Sequence, residues 1–198
     1  VAKEEIDHAL EIVDETLTIT DVNSSSEIRS SKVNINDVIN RCLRLIDRTR
    51  YNIVLELAEV PPIRATFSDM QVVITNLIHN AMEAMPESGS LAFTTAVSKS
   101  DITIIIEDSG EGIPEGVKSR VWEPYFSGRG SDVGNSNAGR GWGLTIVNRI
   151  INEHKGTIRF TSEEKVGTRF VITLPVQNQH IPAQAEAENL TKRLSGAN

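Results

Sequence analysis

Apolar positions along the chain fall into two regimes, and the change between them divides it. Ile6, Leu10, Val13 and Leu17 recur at alternating spacings of four and three, with acidic residues between them. That narrow seam predicts a coiled-coil-like helix over residues 1–22, which needs a partner helix. Asn23-Ser24-Ser25-Ser26 interrupts the pattern and predicts a linker over residues 23–31. From residue 32 onward the pattern becomes that of an α/β domain. Val33 and Ile35 alternate as in a short strand, and Val38, Ile39, Leu43 and Ile46 predict a helix over residues 36–48. Residues 53–57 are strand-like, and Pro61-Pro62 turns the chain. Ser68-Asp69-Met70-Gln71 has the form of a capping box, heading a strong helix with Val73, Ile74, Leu77, Ile78, Ala81 and Met85 on one face. Alternating β-branched residues predict a hairpin over residues 90–97 and 101–107. A helix over residues 144–154 follows, and then a second hairpin over residues 157–161 and 168–174. Mixed strands and helices of this kind predict a two-layer α/β sandwich, a mixed and mostly antiparallel sheet covered on one face by helices, across residues 32–176. Residues 177–198, rich in Gln, Asn and Ala, read as a polar tail.

Composition narrows the function classes. The chain has 198 residues, 39% of them hydrophobic, enough for one core of ordinary domain size. A net charge of −7 argues against a nucleic-acid partner held through phosphates. The single cysteine, Cys42, excludes a disulfide framework within the chain and reads as a half-buried helix residue. No apolar run approaches the ~20 residues of a membrane span. The expectation is a cytoplasmic domain, either free or the cytoplasmic portion of a membrane-anchored sensor.

Three places carry candidate chemistry. Asn76, Asn80 and Glu83, spaced four and three apart, form a polar stripe on an otherwise apolar helix. A half-buried Asn amide needs partners. It either caps a neighbouring loop or offers its oxygen to a hard cation such as Mg²⁺, which completes its octahedron with water and phosphate oxygens. Asp108 ends an apolar strand and is followed by Ser-Gly-Glu-Gly-Ile-Pro. This is either a turn, or a carboxylate placed to accept from an exocyclic amine, with Gly110 and Gly112 baring backbone to a flat ring. Gly139-Arg140-Gly141-Trp142-Gly143-Leu144 opens a helix, so bare amides and the helix N-terminus form an anion cradle. It closes a stretch, residues 127–141, with five glycines and only one β-branched residue, which predicts a lid ordered by a ligand. Arg129 and Arg140, within that stretch, are either solvated charges or able to reach phosphate oxygens.

Taken in order, the helix around Asn76-Leu77-Ile78-His79-Asn80, the loop of residues 108–114, Trp122-Glu123-Pro124-Tyr125-Phe126-Ser127 and Gly139 to Leu144 resemble the ATP-binding domain of sensor histidine kinases. In that family they correspond to the asparagine box, the first glycine box, the phenylalanine box and the second glycine box. Gly167-Thr168-Arg169-Phe170 resembles the family's closing strand. The resemblance implies a fold shared with gyrase-type, chaperone and mismatch-repair ATPases, with ATP and Mg²⁺ held under a lid. It implies that Asn80 ligates the metal and that Asp108 holds the adenine amine. Gly110, Gly112 and Ile113 line the base pocket, with Thr168 supporting Asp108. Gly139, Gly141, Gly143 and Leu144, with Arg129 and Arg140, serve the phosphates. The implied partners are ATP, a histidine of the kinase's own dimerization domain and a response-regulator receiver domain, in a full-length homodimer.

Position 76 separates the resembling families. Hydrolytic and serine-directed relatives carry there a glutamate, a general base. Asn76 is an amide that takes no proton at neutral pH. A neutral histidine ring nitrogen needs little help from a base, so Asn76 favours transfer to histidine. A hydrolytic ATPase of the same superfamily and a non-catalytic nucleotide-gated interaction module are the alternatives. No acceptor motif, a His followed by an acidic residue and then Pro or Asn, is visible. His8 precedes Ala9-Leu10, in a helix that resembles the second dimerization helix.

Overall fold

The computed structural model describes residues 31–98, 100–124, 126 and 142–176. The predicted helix over residues 1–22, the lid with Arg129, Gly139, Arg140 and Gly141, and the tail over 177–198 lie outside the described residues. The elements are β1 (Ser31–Val33), α1 (Ile35–Cys42), a 3-10 turn (Leu43–Leu45), β2 (Tyr51–Leu57), β3 (Ile63–Ala65) and α2 (Phe67–Ala84). There follow β4 (Gly89–Val97), β5 (Asp101–Asp108), a second 3-10 turn (Glu115–Arg120), α3 (Gly143–Glu153), β6 (Thr157–Glu163) and β7 (Gly167–Pro175).

Five strands form one sheet in the order β2-β4-β5-β7-β6, and β1 pairs with β3 in a separate ribbon. β2 runs parallel to β4, and the other neighbours are antiparallel. Side chains alternate between the two faces of a strand, so the register assigns each row of the sheet to one face. On the helix-covered face Leu57, Thr95, Ile104, Ile172 and Ile158 form one row. The next row is Leu55, Phe93, Ile106, Phe170 and Phe160, and the third is Ile53, Leu91, Asp108, Thr168 and Ser162. On the other face, Glu107 and Arg169, directly paired across β5 and β7, form an ion pair of 3.0 Å.

The helices cover the apolar rows as their periodicity requires. α1 buries Ile35, Val38, Ile39 and Cys42, α2 buries Met70, Val73, Ile74, Leu77, Ile78 and Ala81, and α3 buries Val147, Ile150 and Ile151. Each large side chain so buried contributes about 1.5–3 kcal/mol of transfer free energy.

Local chemistry moves several boundaries away from the sequence-based expectation. Ile35 belongs to α1, not to β1, because the Asn34 side chain accepts from Asn36 N at 2.9 Å and starts a helix there. The helix expected over 36–48 stops at Cys42. After a 3-10 turn, Asp47 Oδ1 takes the Thr49 amide and hydroxyl at 2.9 and 2.6 Å, an arrangement that competes with helical bonding. α2 is capped by Thr66 rather than Ser68, with Thr66 Oγ1 accepting from Asp69 N at 3.1 Å. β3, after the Pro61-Pro62 turn, has no strong local signal and exists because β1 pairs with it.

Candidate functional site

The third row of the sheet holds the first part of the site. Two rows of the helix-covered face are almost wholly apolar, and the third turns polar on three adjacent strands, at Asp108, Thr168 and Ser162. Asp108 is half-buried at the end of β5. Its Oδ1 accepts from Gly110 N at 2.9 Å and from Thr168 N at 3.3 Å. Both of its hydrogen bonds among the described residues thus fall on one oxygen, which leaves Oδ2 able to accept from a further group. Burial pushes the Asp108 carboxyl above the usual carboxylate range, against the lowering effect of the Gly110 and Thr168 amides.

Thr168 reaches Asp108 through its backbone, and its hydroxyl lies 3.0 Å from Ser162 Oγ. Ser162 Oγ also accepts from Ile113 N at 2.8 Å and donates to Gly167 O at 3.0 Å. Ile113, from the loop that follows β5, is thereby tied to the two edge-side strands.

Glycines allow this loop to close. A side chain at Gly167, where φ is +140°, would meet the Asp108 carbonyl at 1.9 Å. At Gly112, with φ of +69°, it would meet the Glu163 carbonyl at 2.1 Å. Gly110 sits against the end of α2, where a Cβ would stand 2.6 Å from Ala84 Cβ, and Glu111 N donates to Ala84 O at 3.1 Å. Gly110 and Gly112 therefore have packing reasons of their own within the chain.

Ala84 lies one helical turn, about 6 Å, beyond Asn80 on α2, so the second part of the site is close. Asn76 donates its Nδ2 back to Val72 O at 2.8 Å, which turns Oδ1 outward. A Cβ at Gly143 would stand 2.9 Å from Asn76 Oδ1 and 3.8 Å from Asn80 Oδ1. The absence of a side chain at Gly143 thus lets the first turn of α3 approach both amide oxygens. Asn80 Nδ2 is buried with no hydrogen-bond partner among the described residues. No side chain among them caps α3. Leu144 packs half-buried against the core. Thr145 Oγ1 donates to Trp122 O at 3.2 Å, and the Trp122 ring meets Phe160 edge-on at 5.7 Å, fastening α3 to the sheet. Glu83, the third member of the polar stripe, lies 3.7 Å from His79 Nδ1.

The fold therefore gathers Asp108, Gly110, Gly112, Ile113 and Thr168 at one end of α2's last turns, and Asn76, Asn80, Gly143 and Leu144 one turn away. Arg129, Gly139, Arg140 and Gly141 are outside the described residues. Ser162 and Gly167 are site neighbours to which no role attaches in the sequence patterns. Ser162 does carry a signal, because it occupies the apolar phase of β6 set by Ile158 and Phe160.

Comparison with known proteins gives the family. The chain is 28% identical over 181 residues to the sensor histidine kinase ZraS of Escherichia coli (strain K12), covering 89% of this chain and 37% of that protein. The chain thus spans little more than a third of that relative's length. The mycobacterial sensor histidine kinase MprB matches with a TM-score of 0.62 and 25% identity, over 73% of this chain and 97% of that one. Histidine kinase ThkA, solved in complex with the response regulator protein TrrA, shares the fold, with a TM-score of 0.63 and 24% identity over 88% of this chain and 49% of that one. Residues 66–178, from the cap of α2 to just past the end of β7, match the family described as histidine kinase-, DNA gyrase B- and HSP90-like ATPase. That span holds both halves of the site, and the chain belongs to this family.

Proposed function

We propose that this chain is the catalytic, ATP-binding part of a sensor histidine kinase, transferring the γ-phosphoryl of Mg-ATP to a histidine of its dimerization domain. The observation that carries the choice of reaction is the amide at position 76. Its nitrogen is held by Val72 O, and its oxygen, which takes no proton at neutral pH, faces the start of α3. A site without a base at this point cannot activate water or a hydroxyl well. A neutral imidazole nitrogen needs no such activation, since its lone pair attacks phosphorus directly as the bond to the leaving oxygen of ADP breaks.

The residues fit an adenine nucleotide and a hard cation. Asp108 Oδ2 accepts from the base amine, and Ile113 with the bare backbone around Gly110 and Gly112 walls the base. Asn80, with a buried amide nitrogen lacking a partner, holds its oxygen beside Gly143 as the metal ligand. Mg²⁺ supplies charge neutralisation on the phosphates when bound. The amides of Gly141, Gly143 and Leu144, with Gly139, Arg129 and Arg140, orient and neutralise the same oxygens, so catalysis rests on positioning and electrostatics. Residues 1–22 serve as the second helix of the dimerization domain, residues 23–31 as a linker and 177–198 as a tail. A response-regulator receiver domain is the downstream partner, as TrrA is bound by ThkA. The working form is a homodimer, in the cytoplasm or as the cytoplasmic portion of a membrane-anchored sensor. No helix among the described residues is long and apolar enough to cross a membrane.

The test is to incubate the chain with Mg-ATP and a separate dimerization domain bearing an acceptor histidine. The expected product is phosphohistidine on the added domain, stable in alkali, with none at His8. Steady ATP hydrolysis without any phosphohistidine would instead make the protein a hydrolytic ATPase. Binding with neither product would make it a nucleotide-gated module.

A further inference from the structure

Resting on that nucleotide reading, we infer that Ser162 is a positioning residue for substrate choice. It fixes the Thr168 hydroxyl as a hydrogen-bond acceptor, so that the base pocket selects a purine bearing an amine over one bearing a carbonyl.

Ser162 Oγ has three partners: Ile113 N at 2.8 Å, Gly167 O at 3.0 Å and Thr168 Oγ1 at 3.0 Å. A hydroxyl holds one donor and two acceptor positions. The Ile113 amide can only donate and the Gly167 carbonyl can only accept. One arrangement satisfies all three contacts: Ser162 gives its proton to Gly167 O and accepts from both Ile113 N–H and Thr168 O–H. Thr168, buried at 6% exposure, then has no proton to offer elsewhere.

Thr168 stands directly opposite Asp108 across β5 and β7, so both side chains leave the sheet on the same face. Asp108 spends Oδ1 on the Gly110 and Thr168 amides and keeps Oδ2 as an acceptor. Two neighbouring acceptors match the two N–H groups of an exocyclic amine, either directly or through a water. A carbonyl in the same position would face lone pairs only, which is costly in a half-buried site. Ser162 itself stands on β6, one strand further from the base, and acts by setting the polarity of Thr168.

Calorimetric titration with Mg-ATP and Mg-inosine triphosphate, in which a carbonyl replaces the amine, tests this. The wild-type chain should favour ATP. Ser162→Ala frees the Thr168 proton, so the ATP-to-ITP affinity ratio should fall about tenfold, the value of one hydrogen bond. Ser162→Thr, which keeps the hydroxyl, should retain the ratio. The double variant Ser162→Ala/Thr168→Val removes the freed donor and should recover most of it. An unchanged ratio in Ser162→Ala overturns the inference. So does a double variant as unselective as the single one, which would make Ser162 only an anchor for the Ile113 loop. A wild-type chain that binds ATP without preferring it to ITP defeats the inference alone, and one that binds neither nucleotide defeats the nucleotide reading too.

Discussion

Thr95 and Thr168 are the two polar residues buried among those described, at 3% and 6% exposure, and they stand on the same face of the sheet two rows apart. Around Thr95 the hydrogen bonds close within the fold. Its hydroxyl reaches Asn36 Oδ1 at 3.1 Å and Ala58 O at 3.4 Å, and Asn36 Nδ2 donates to Ala58 O at 2.8 Å. The result pins α1 to the strand beside it. Around Thr168 the bonds hold a loop and a carboxylate in place, but among the described residues they leave Asp108 Oδ2 unspent, and further along α2 Asn80 Nδ2 has no partner there. A buried polar group costs free energy unless it is paired, so a closed cluster is architecture and an unfinished one is a candidate place for a ligand.

Asn80→Ala pushes that contrast furthest. It removes a buried donor with no partner among the described residues, so the melting temperature should hold or rise. Mg-ATP affinity and phosphotransfer should fall about a hundredfold or more. Calorimetry and a thermal melt on the same preparation check both halves, and unchanged affinity would leave Asn80 a packing residue.

Asp108→Asn comes next. The Asn oxygen can still accept from the Gly110 and Thr168 amides, but its nitrogen turns the free position into a donor. ATP affinity should fall by roughly 1.5–3 kcal/mol, and the preference over inosine triphosphate should vanish. The charge change adds a signature in pH. Burial raises the Asp108 carboxyl above its unfolded value. Its contribution to stability is therefore complete below the unfolded value and lost as pH rises through the folded one. The nucleotide-free variant should lack that loss, and the wild type should release ATP on acidification through the raised value. Melts and titrations across the acid range decide it.

Thr95→Val is the smallest effect and the control. Losing a hydroxyl that bonds Asn36 and Ala58 should cost about 1 kcal/mol of stability and leave nucleotide affinity unchanged. A drop in affinity would mean that the two clusters are coupled through the sheet.

The candidate site was legible where one element carries it. Asn76 and Asn80 stand on one helix face at a spacing any helix enforces, and Asp108 is marked by the glycines that follow it. Where partners come from distant segments, the sequence is silent. Ser162 is marked in the sequence only by standing in the apolar phase of β6, and the partner that explains it, the Ile113 amide, comes from a loop far back in the chain. The reason for Gly167 is likewise invisible until the Asp108 carbonyl is found where its side chain would be.

Local periodicity and turn residues determined that the helices and the two hairpins exist, and the candidate ligands, because those signals act within a few residues and need no knowledge of the rest of the chain. Tertiary structure alone decided that β2 runs parallel beside β4, that α3 starts against Asn76 and Asn80, and that three polar side chains share the last row of the core. Strand order and row composition are settled by which apolar faces can be buried together. That is a property of the whole chain, and no short window of it contains the answer.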